Sequence, residues 1–438
     1  MDAGIQDRSS RSVSNSTRWM VTLAASFGWF FDAYVITIYA LTIPLISTEF
    51  HVPTTVLSGT VGSIFLVGYT VGTIGFGVGG DMLGRKLMLG VSIIGYGLIT
   101  ALTAVASGLY SLATLRFLTG VGGGGELSIG SPYVTEVWPR QWRSTGIGMM
   151  YSFYPLGYLF SVGMFALLTP LWGWRAVYVF SLAPALVILL LRFRLEESPR
   201  FTAVMSALQQ SQSARIGLFA ALRDPHYRRR LLVGFLIFSS LTYGYYAMAF
   251  YIPAYVVRQY HLQAASGAAA VMALFTAGVL IGGLAGGYVG DWIGRRMPAI
   301  AIAVFGMAAI FLWWNAEWSL GMFCLLASLG GFVLGFEWTI GIVYVNELFP
   351  TEIRASGFGL SAGLGRIVSI AAPLVTQMLA GSLGVAQAIQ ISAGIWLLLI
   401  VGYLMSHETR GLELEDRVAP LPIPVSTLVG LGAEKPPA

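Results

Sequence analysis

The sequence predicts an all-α membrane protein: twelve transmembrane helices in two six-helix, pseudo-symmetric bundles. Three observations carry that expectation. The composition is too apolar for a core in water, the chain holds twelve apolar runs long enough to cross a bilayer, and its second half repeats motifs of the first. Of 438 residues, 56% are hydrophobic and 10% charged, with a mean hydropathy of +0.74. A bilayer offers the backbone no water, so only helices or a closed barrel can span it, and a spanning helix takes about 20 apolar residues. Runs of that length favour helices over a barrel.

The first bundle is expected over 17–193, with runs near 17–46, 54–80, 85–107, 109–137, 143–170 and 173–193. A charged link, 194–228, follows and carries Glu196, Glu197, Arg200, Arg215, Arg223 and Arg228. The second bundle takes 229–406, with runs near 229–259, 265–290, 296–315, 319–348, 355–381 and 386–406. Segments 1–16 and 407–438 form the N-terminus and the tail; their ends, roughly 1–15 and 411–438, are polar or proline-rich (Pro422, Pro424, Pro436, Pro437), lack a periodic apolar face, and are expected to be mobile. The first run is too long and wrongly flanked for a cleaved signal peptide. Cys324 is the only cysteine, so no intrachain disulfide forms.

A pI near 9.3 raises nucleic acid as a partner, but the distribution of charge argues against it. Apart from Arg116 and Arg366 in predicted helices and Arg175 and Arg258 in outer loops, the Lys and Arg residues are assigned to loops on one side. This is the positive-inside pattern. It predicts a multi-pass protein of the inner or plasma membrane, with both termini and the link cytoplasmic.

The repeat is specific. Gly77-x3-Asp81-x2-Gly84-Arg85-Lys86 recurs 210 residues later as Gly287-x3-Asp291-x2-Gly294-Arg295-Arg296. Glu126, Glu136, Pro139, Arg143 and Gly146 recur at an offset of 211 as Glu337, Glu347, Pro350, Arg354 and Gly357. The halves are therefore duplicates related by an axis along the membrane normal. The paired turns resemble the signature of the major facilitator superfamily, a likeness that covers about residues 17–416. Arg116-x3-Gly120-x-Gly122, Gly173-Trp174-Arg175, Glu197-Ser-Pro-Arg200, Glu347-Leu-Phe-Pro-Thr-Glu-Ile-Arg354 and Glu408-Thr-Arg-Gly411 resemble sugar porters and metabolite:proton symporters. Gly124-Gly125-Glu126 and Gly365-Arg366-Ile-Val-Ser-Ile-Ala-Ala-Pro373 are similar to the branch that carries organic anions, niacin and aromatic acids. The resemblance implies a cytoplasmic gate of two ion-pair latches. Asp81, Arg85, Glu136 and Arg143 form one, and Asp291, Arg295, Glu347 and Arg354 the other. Met82 stands where the family usually has a basic residue, which weakens the first latch.

A lone charge in the membrane costs about 2.5–3.5 kcal/mol on insertion scales, so it faces a partner or a cavity. Five residues qualify: Asp32, Arg116, Glu126, Glu337 and Arg366. At the helical rise, Asp32 lies roughly 21 Å from Arg18, Glu126 and Glu337 roughly 15 Å from Glu136 and Glu347, and Arg366 roughly 17 Å from Ala355. Those four share a slab near the midplane, where such a transporter holds its substrate. Asp32 is the first candidate for carrying a proton. By resemblance to sugar porters, Arg116 is its coupling partner, across a gap of about 9 Å that helix tilt and the long side chain must close. Many metabolite:proton symporters have a second Asp where this chain has Val35, so Glu126 is expected to share or replace that role.

Arg366 offers a planar five-donor fork suited to a carboxylate, and by resemblance it contacts the anion. Its alternative is a fixed partnership with Glu337, which is also placed among the substrate-binding residues. Tyr34, Tyr151, Tyr154, Tyr243, Tyr246 and Trp338 are candidates to line the pocket, with lipid-facing or packing roles as the alternative. The glycines from Gly122 to Gly125 sit in an apolar helix with no strand before them, which favours close helix packing over phosphate binding. His51, His226, His261 and His407 have no metal-ligand spacing.

The expected function is secondary transport without cofactor or metal: proton-coupled symport of a small organic carboxylate by alternating access. The partners are that solute, protons and lipid, with no nucleic acid, and the chain is expected to act as a monomer. A sugar or other neutral-solute porter, or an uncoupled facilitator, is the alternative. An enzyme would need a nucleophile–base pair or metal cluster within the helices, and a sensor would need a longer output segment than residues 407–438.

Overall fold

The computed structural model describes residues 13–211, 217–261, 267–314 and 318–414, and among these every regular element is a helix. The first half comprises α1 (Asn15–Phe50), α2 (Gly62–Leu83, entered through a π-turn at Val56–Val61), α3 (Arg85–Leu102), α4 (Leu109–Val137), α5 (Arg143–Trp172), α6 (Arg175–Phe180) and α7 (Leu182–Phe193). Two short helices, α8 (Pro199–Ser211) and α9 (Leu218–Arg223), occupy the link. The second half comprises α10 (Pro225–Gln259), α11 (Gly267–Trp292), α12 (Arg296–Trp314), α13 (Leu320–Leu348), α14 (Arg354–Leu383), α15 (Val385–Ala393) and α16 (Trp396–Leu404). The twelve predicted runs thus map onto twelve rods. Two of those rods are broken.

The sixth rod breaks at Ser181, between α6 and α7. Pro184 has no N–H to give the Phe180 carbonyl, and the Ser181 hydroxyl bonds Tyr178 O at 2.6 Å. The twelfth breaks at Gly394, between α15 and α16.

Glycine sets how closely the rods approach. In α4, a methyl group on Gly120 or Gly124 would strike the α2 backbone at Phe65 and Thr73, so the glycine run serves packing. Within the halves α2 packs on α4 and α11 on α13; between them α2 meets α14 and α5 meets α11. Exposed apolar side chains such as Leu98 (α3), Leu190 (α7), Phe305 (α12) and Leu397 (α16) face outward. That is the arrangement a lipid solvent requires.

The repeated turns fold alike. Gly84 (φ 102°) and Gly294 (φ 134°) adopt a backbone that a side chain disfavours. Each is also covered by a carboxylate, Glu197 over Gly84 and Glu408 over Gly294. Glu197 accepts the first N–H groups of α3, from Arg85 at 2.9 Å and Lys86 at 3.2 Å. Glu408 accepts those leading into α12, from Arg295 at 3.0 Å and Arg296 at 2.9 Å. The expected mobile ends fall mostly at 1–12 and 415–438, outside the described residues. Of the tail, residues 407–414 are described: Thr409 and Leu414 are buried, and Glu413 pairs with Arg140 at 3.3 Å and Arg200 at 3.5 Å in the first half and link.

Candidate functional site

At the end carrying the α2–α3 and α11–α12 turns, eight charged side chains are buried together across the contact between halves. Asp81 accepts the N–H of Ala355 at 3.2 Å and of Ser356 at 2.7 Å, at the α14 N-terminus. Asp291 does the same for Ser144 at 3.0 Å and Thr145 at 2.7 Å on α5. A carboxylate at a helix N-terminus is favoured by its free N–H groups and dipole. Glu136 binds Arg85 of its own half at 2.9 Å and Arg354 of the other at 2.8 Å. Glu347 binds Arg295 of its own half at 3.3 Å and Arg143 of the other at 2.7 Å. The arginines are therefore exchanged relative to the sequence reading, with Arg143 and Arg354 each serving the opposite latch.

Farther along, the halves meet in a narrow pocket lined by Trp29 and Ile36 (α1), Tyr151 and Tyr154 (α5), Thr242, Tyr245 and Tyr246 (α10), Trp338 (α13) and Arg366 (α14). Its rings are ordered. Tyr151 stacks on Trp338 (6.0 Å, 11°) and on Tyr154 (6.3 Å, 3°), while Tyr154 meets Tyr245 edge-on (6.4 Å, 80°). Arg366 is buried and its guanidinium lies 3.8 Å over the Tyr69 ring, with no hydrogen-bond partner for Nη1 among the described residues. Asp32 faces the same region from α1: Oδ1 accepts the Tyr96 hydroxyl at 2.9 Å and Oδ2 the Tyr69 hydroxyl at 3.3 Å. Tyr69 joins Arg366 and Asp32, with its ring under the guanidinium and its hydroxyl on the carboxylate.

This architecture has a match among known families. The model of the Major Facilitator Superfamily matches residues 25–316 and again 264–424. The chain belongs to the major facilitator superfamily. Among curated relatives it is 26% identical over 401 residues to a probable 4-methylmuconolactone transporter of Cupriavidus pinatubonensis, covering 89% of this chain and 90% of that one. It is also 26% identical over 429 residues to the niacin transporter NiaP of Acinetobacter baylyi, covering 91% and 95%. Among solved structures it resembles the proton:xylose symporter XylE bound to 6-bromo-6-deoxy-D-glucose, with a TM-score of 0.76 at 17% identity over 92% of this chain and 98% of that one. As a major facilitator it is a multi-pass membrane transporter rather than an enzyme.

Against that frame, several pairings expected within this major facilitator need correcting. Arg116 forms no ion pair with Asp32; its guanidinium is sandwiched between Tyr39 at 4.3 Å and Phe65 at 4.5 Å. Glu126 has a cation of its own. Arg192 clamps both its oxygens, Nη1 to Oε1 at 3.0 Å and Nη2 to Oε2, and Ser92 adds a bond at 2.8 Å. Arg366 does not pair with Glu337, whose two oxygens are buried without a partner among the described residues and which does not line the pocket. Tyr34 donates to Val177 O at 2.6 Å inside the first half, and Tyr243 packs on Ala247 and Ala372, so neither lines the pocket. Sequence reasoning missed Arg192, Tyr69, Tyr245 and Thr242. The spacing of Trp29, Asp32 and Ile36, one turn and then two along α1, was the available signal for a shared face.

Proposed function

We propose that this major facilitator is a secondary transporter that carries a small planar organic carboxylate together with a proton by alternating access. The observation that carries this reading is Arg366: a buried guanidinium in an aromatic pocket, its Nη1 without a hydrogen-bond partner among the described residues, linked to Asp32 through Tyr69. A carboxylate docking on that fork gains charge-assisted, bidentate bonds, and flat rings such as Tyr151 and Trp338 suit a flat solute. The similar niacin transporter supports the same class of solute.

Coupling follows from charge. Without solute, ionised Asp32 offsets Arg366. A bound carboxylate competes for the same cation, and two anions around one buried cation leave a net charge that low-dielectric surroundings penalise. A proton on Asp32 removes that penalty, so proton and acid bind as a pair. Glu126, clamped by Arg192, is not needed as a proton carrier in this reading, and Arg116 serves as a packed cation. The bodies that move are 17–193 and 229–406, joined by the 194–228 link. The eight-residue charge cluster is their cytoplasmic gate, an orientation supported by the positive loops at that end, which also places both termini inside.

Asp32→Asn tests the reading, because asparagine mimics the protonated acid permanently. In proteoliposomes the variant should exchange internal for external acid but fail to concentrate it on an imposed pH gradient. A variant that still concentrates the acid would remove Asp32 from the proton path.

A further inference from the structure

The two halves serve as internal controls for each other. Tyr133 and Tyr344 donate their hydroxyls to the carbonyls of Glu196 and His407, Glu197 and Glu408 cap the equivalent turns, and Ser198 and Thr409 bond Glu136 and Glu347. All these pairs stand 211 residues apart. At the same offset Glu126 corresponds to Glu337 and Arg192 to Tyr403. The first half neutralises its midplane carboxylate with an arginine and a serine. The second half keeps the carboxylate and has a phenol in the arginine's place, and at Ser92's place, 210 residues on, it has Ile302.

The consequences are visible around Glu337. Its relative exposure is 0%, and neither carboxyl oxygen has a hydrogen-bond partner among the described residues. Tyr403 of α16 approaches α13 one turn away, its hydroxyl 3.7 Å from where a methyl group on Gly341 would sit and without a hydrogen-bond partner among the described residues. From α10, Ile237 and Leu241 approach α13 one turn away at Gly341, and α11 meets α13 through Gly282 and Gly286 against Phe332 and Phe336. No ion pair reaches Glu337 among the described residues. An ionised, unbonded carboxylate at this depth costs about 2.5–3.5 kcal/mol on insertion scales and more by direct solvation arguments; the neutral acid avoids that cost.

We propose that Glu337 is a second proton-carrying site, in the second half, which holds a proton in this conformation and gives it up during the transport cycle. Its chain neighbour Trp338 lines the solute pocket, so a rearrangement of α13 around the solute moves Glu337 as well. The inference rests on the symport reading and deepens it. One acid anion then travels with two protons, one on Asp32 and one on Glu337, and the complex moves a net single positive charge.

Glu337→Gln replaces the neutral acid with a neutral side chain of nearly the same shape, so folding is preserved. Two measurements on the full chain test the idea. Infrared difference spectra between wild type and variant at neutral pH should contain the carbonyl band of a protonated carboxyl group; its absence overturns the proposal whatever the solute. In proteoliposomes, uptake of a panel of labelled aromatic monoacids, niacin included, is followed under a potassium diffusion potential at fixed pH gradient. An inside-negative potential of about 100 mV should raise wild-type accumulation by up to roughly fiftyfold and leave the variant unchanged. Voltage-insensitive wild type, or a variant as voltage-sensitive as wild type, overturns the second site. Failure of the symport reading looks different: wild type would show no pH-driven uptake of any acid in the panel.

Discussion

Replacing Arg366 by lysine keeps a positive charge in the pocket while removing the planar fork, and the structure sets what that should cost. The guanidinium lies over the Tyr69 ring at 3.8 Å, with no hydrogen-bond partner for Nη1 among the described residues. A carboxylate that accepts two parallel bonds from arginine accepts one from an ammonium group, a loss of about 1.5–3 kcal/mol for a hydrogen bond to a charged group. Part of the stacking on Tyr69, about 0.5–2 kcal/mol in full, goes with it. Since lysine recovers some of each, a net loss of about 2 kcal/mol is expected, roughly thirtyfold in Kd. The assay is calorimetric titration of the purified protein with an aromatic acid and its amide, niacin and nicotinamide being one such pair. The acid should weaken by that factor and the amide by less than about threefold, since a neutral group never had the charge-assisted bond to lose. Equal weakening of both would show that Arg366 shapes the pocket without reading charge. Unchanged acid binding would move the protein to the neutral-solute alternative.

Two further predictions concern the gate and the strap beside it. Arg143→Ala removes the cross-half partner of Glu347, which keeps Arg295 and Thr409, so the loss is that of one hydrogen bond to a charged group, about 1.5–3 kcal/mol, in the state with the turns closed. In a Cys324→Ser background, a cysteine in place of buried Ser131, which accepts a bond from Asn346 across the halves at 3.0 Å, should then react with an impermeant maleimide at least about tenfold faster; an unchanged rate would show that Arg143 does not hold the gate. Glu408 lies outside the spans. Partial burial pushes its carboxyl up, but the backbone N–H groups of Arg295, Arg296, Arg410 and Thr409 outweigh that and hold it below the ordinary carboxylate value of 4.5. A depressed folded value means the stabilisation is complete above the unfolded value and fades as pH falls through the folded one. Glu408→Gln should therefore melt below wild type at pH 7, with the gap closing under acid conditions; a gap independent of pH would contradict the assignment.

Much of the fold was legible because the relevant physics is local. An apolar run of fixed length is a rod in lipid whatever it touches, and a Gly-Asp-Gly-Arg turn carries its own backbone requirement at Gly84 and Gly294. The break at Ser181 is an exception: run length alone conceals it, and Pro184 is the residue that marks it. The site was legible in depth but not in azimuth. Counting residues along a helix places Asp32, Glu126, Glu337 and Arg366 at similar heights, yet says nothing about which way each faces, so it leaves open a pairing of Glu337 with Arg366 that the structure does not form. Arg192 was hidden for another reason: at the end of its run it satisfied the positive-inside pattern, and nothing about it called for a buried partner. Tyr69 was one aromatic among many in an apolar helix, and only its position between Asp32 and Arg366 distinguishes it.

The exchange of arginines at the gate explains how a buried ion cluster can open at all. If each glutamate depended on the other half for its only cation, separating the halves would strand two carboxylates, a large cost on both sides. Here each keeps a cation of its own half and a hydroxyl of the segment that follows that half: Glu136 retains Arg85 at 2.9 Å and Ser198 at 2.5 Å, and Glu347 retains Arg295 at 3.3 Å together with Thr409. Asp81 and Asp291 likewise stay paired with Arg85 at 2.9 Å and Arg295 at 3.1 Å when they leave the opposite helix N-termini. What opening releases is Arg354, Arg143 and the first N–H groups of α14 and α5, all of which water entering the gap can solvate. The carboxylates therefore remain compensated in both states, and the difference between them reduces to a few cross-half bonds exchanged for hydration. In the proposed cycle, that is the difference that solute and proton binding at the midplane have to tip.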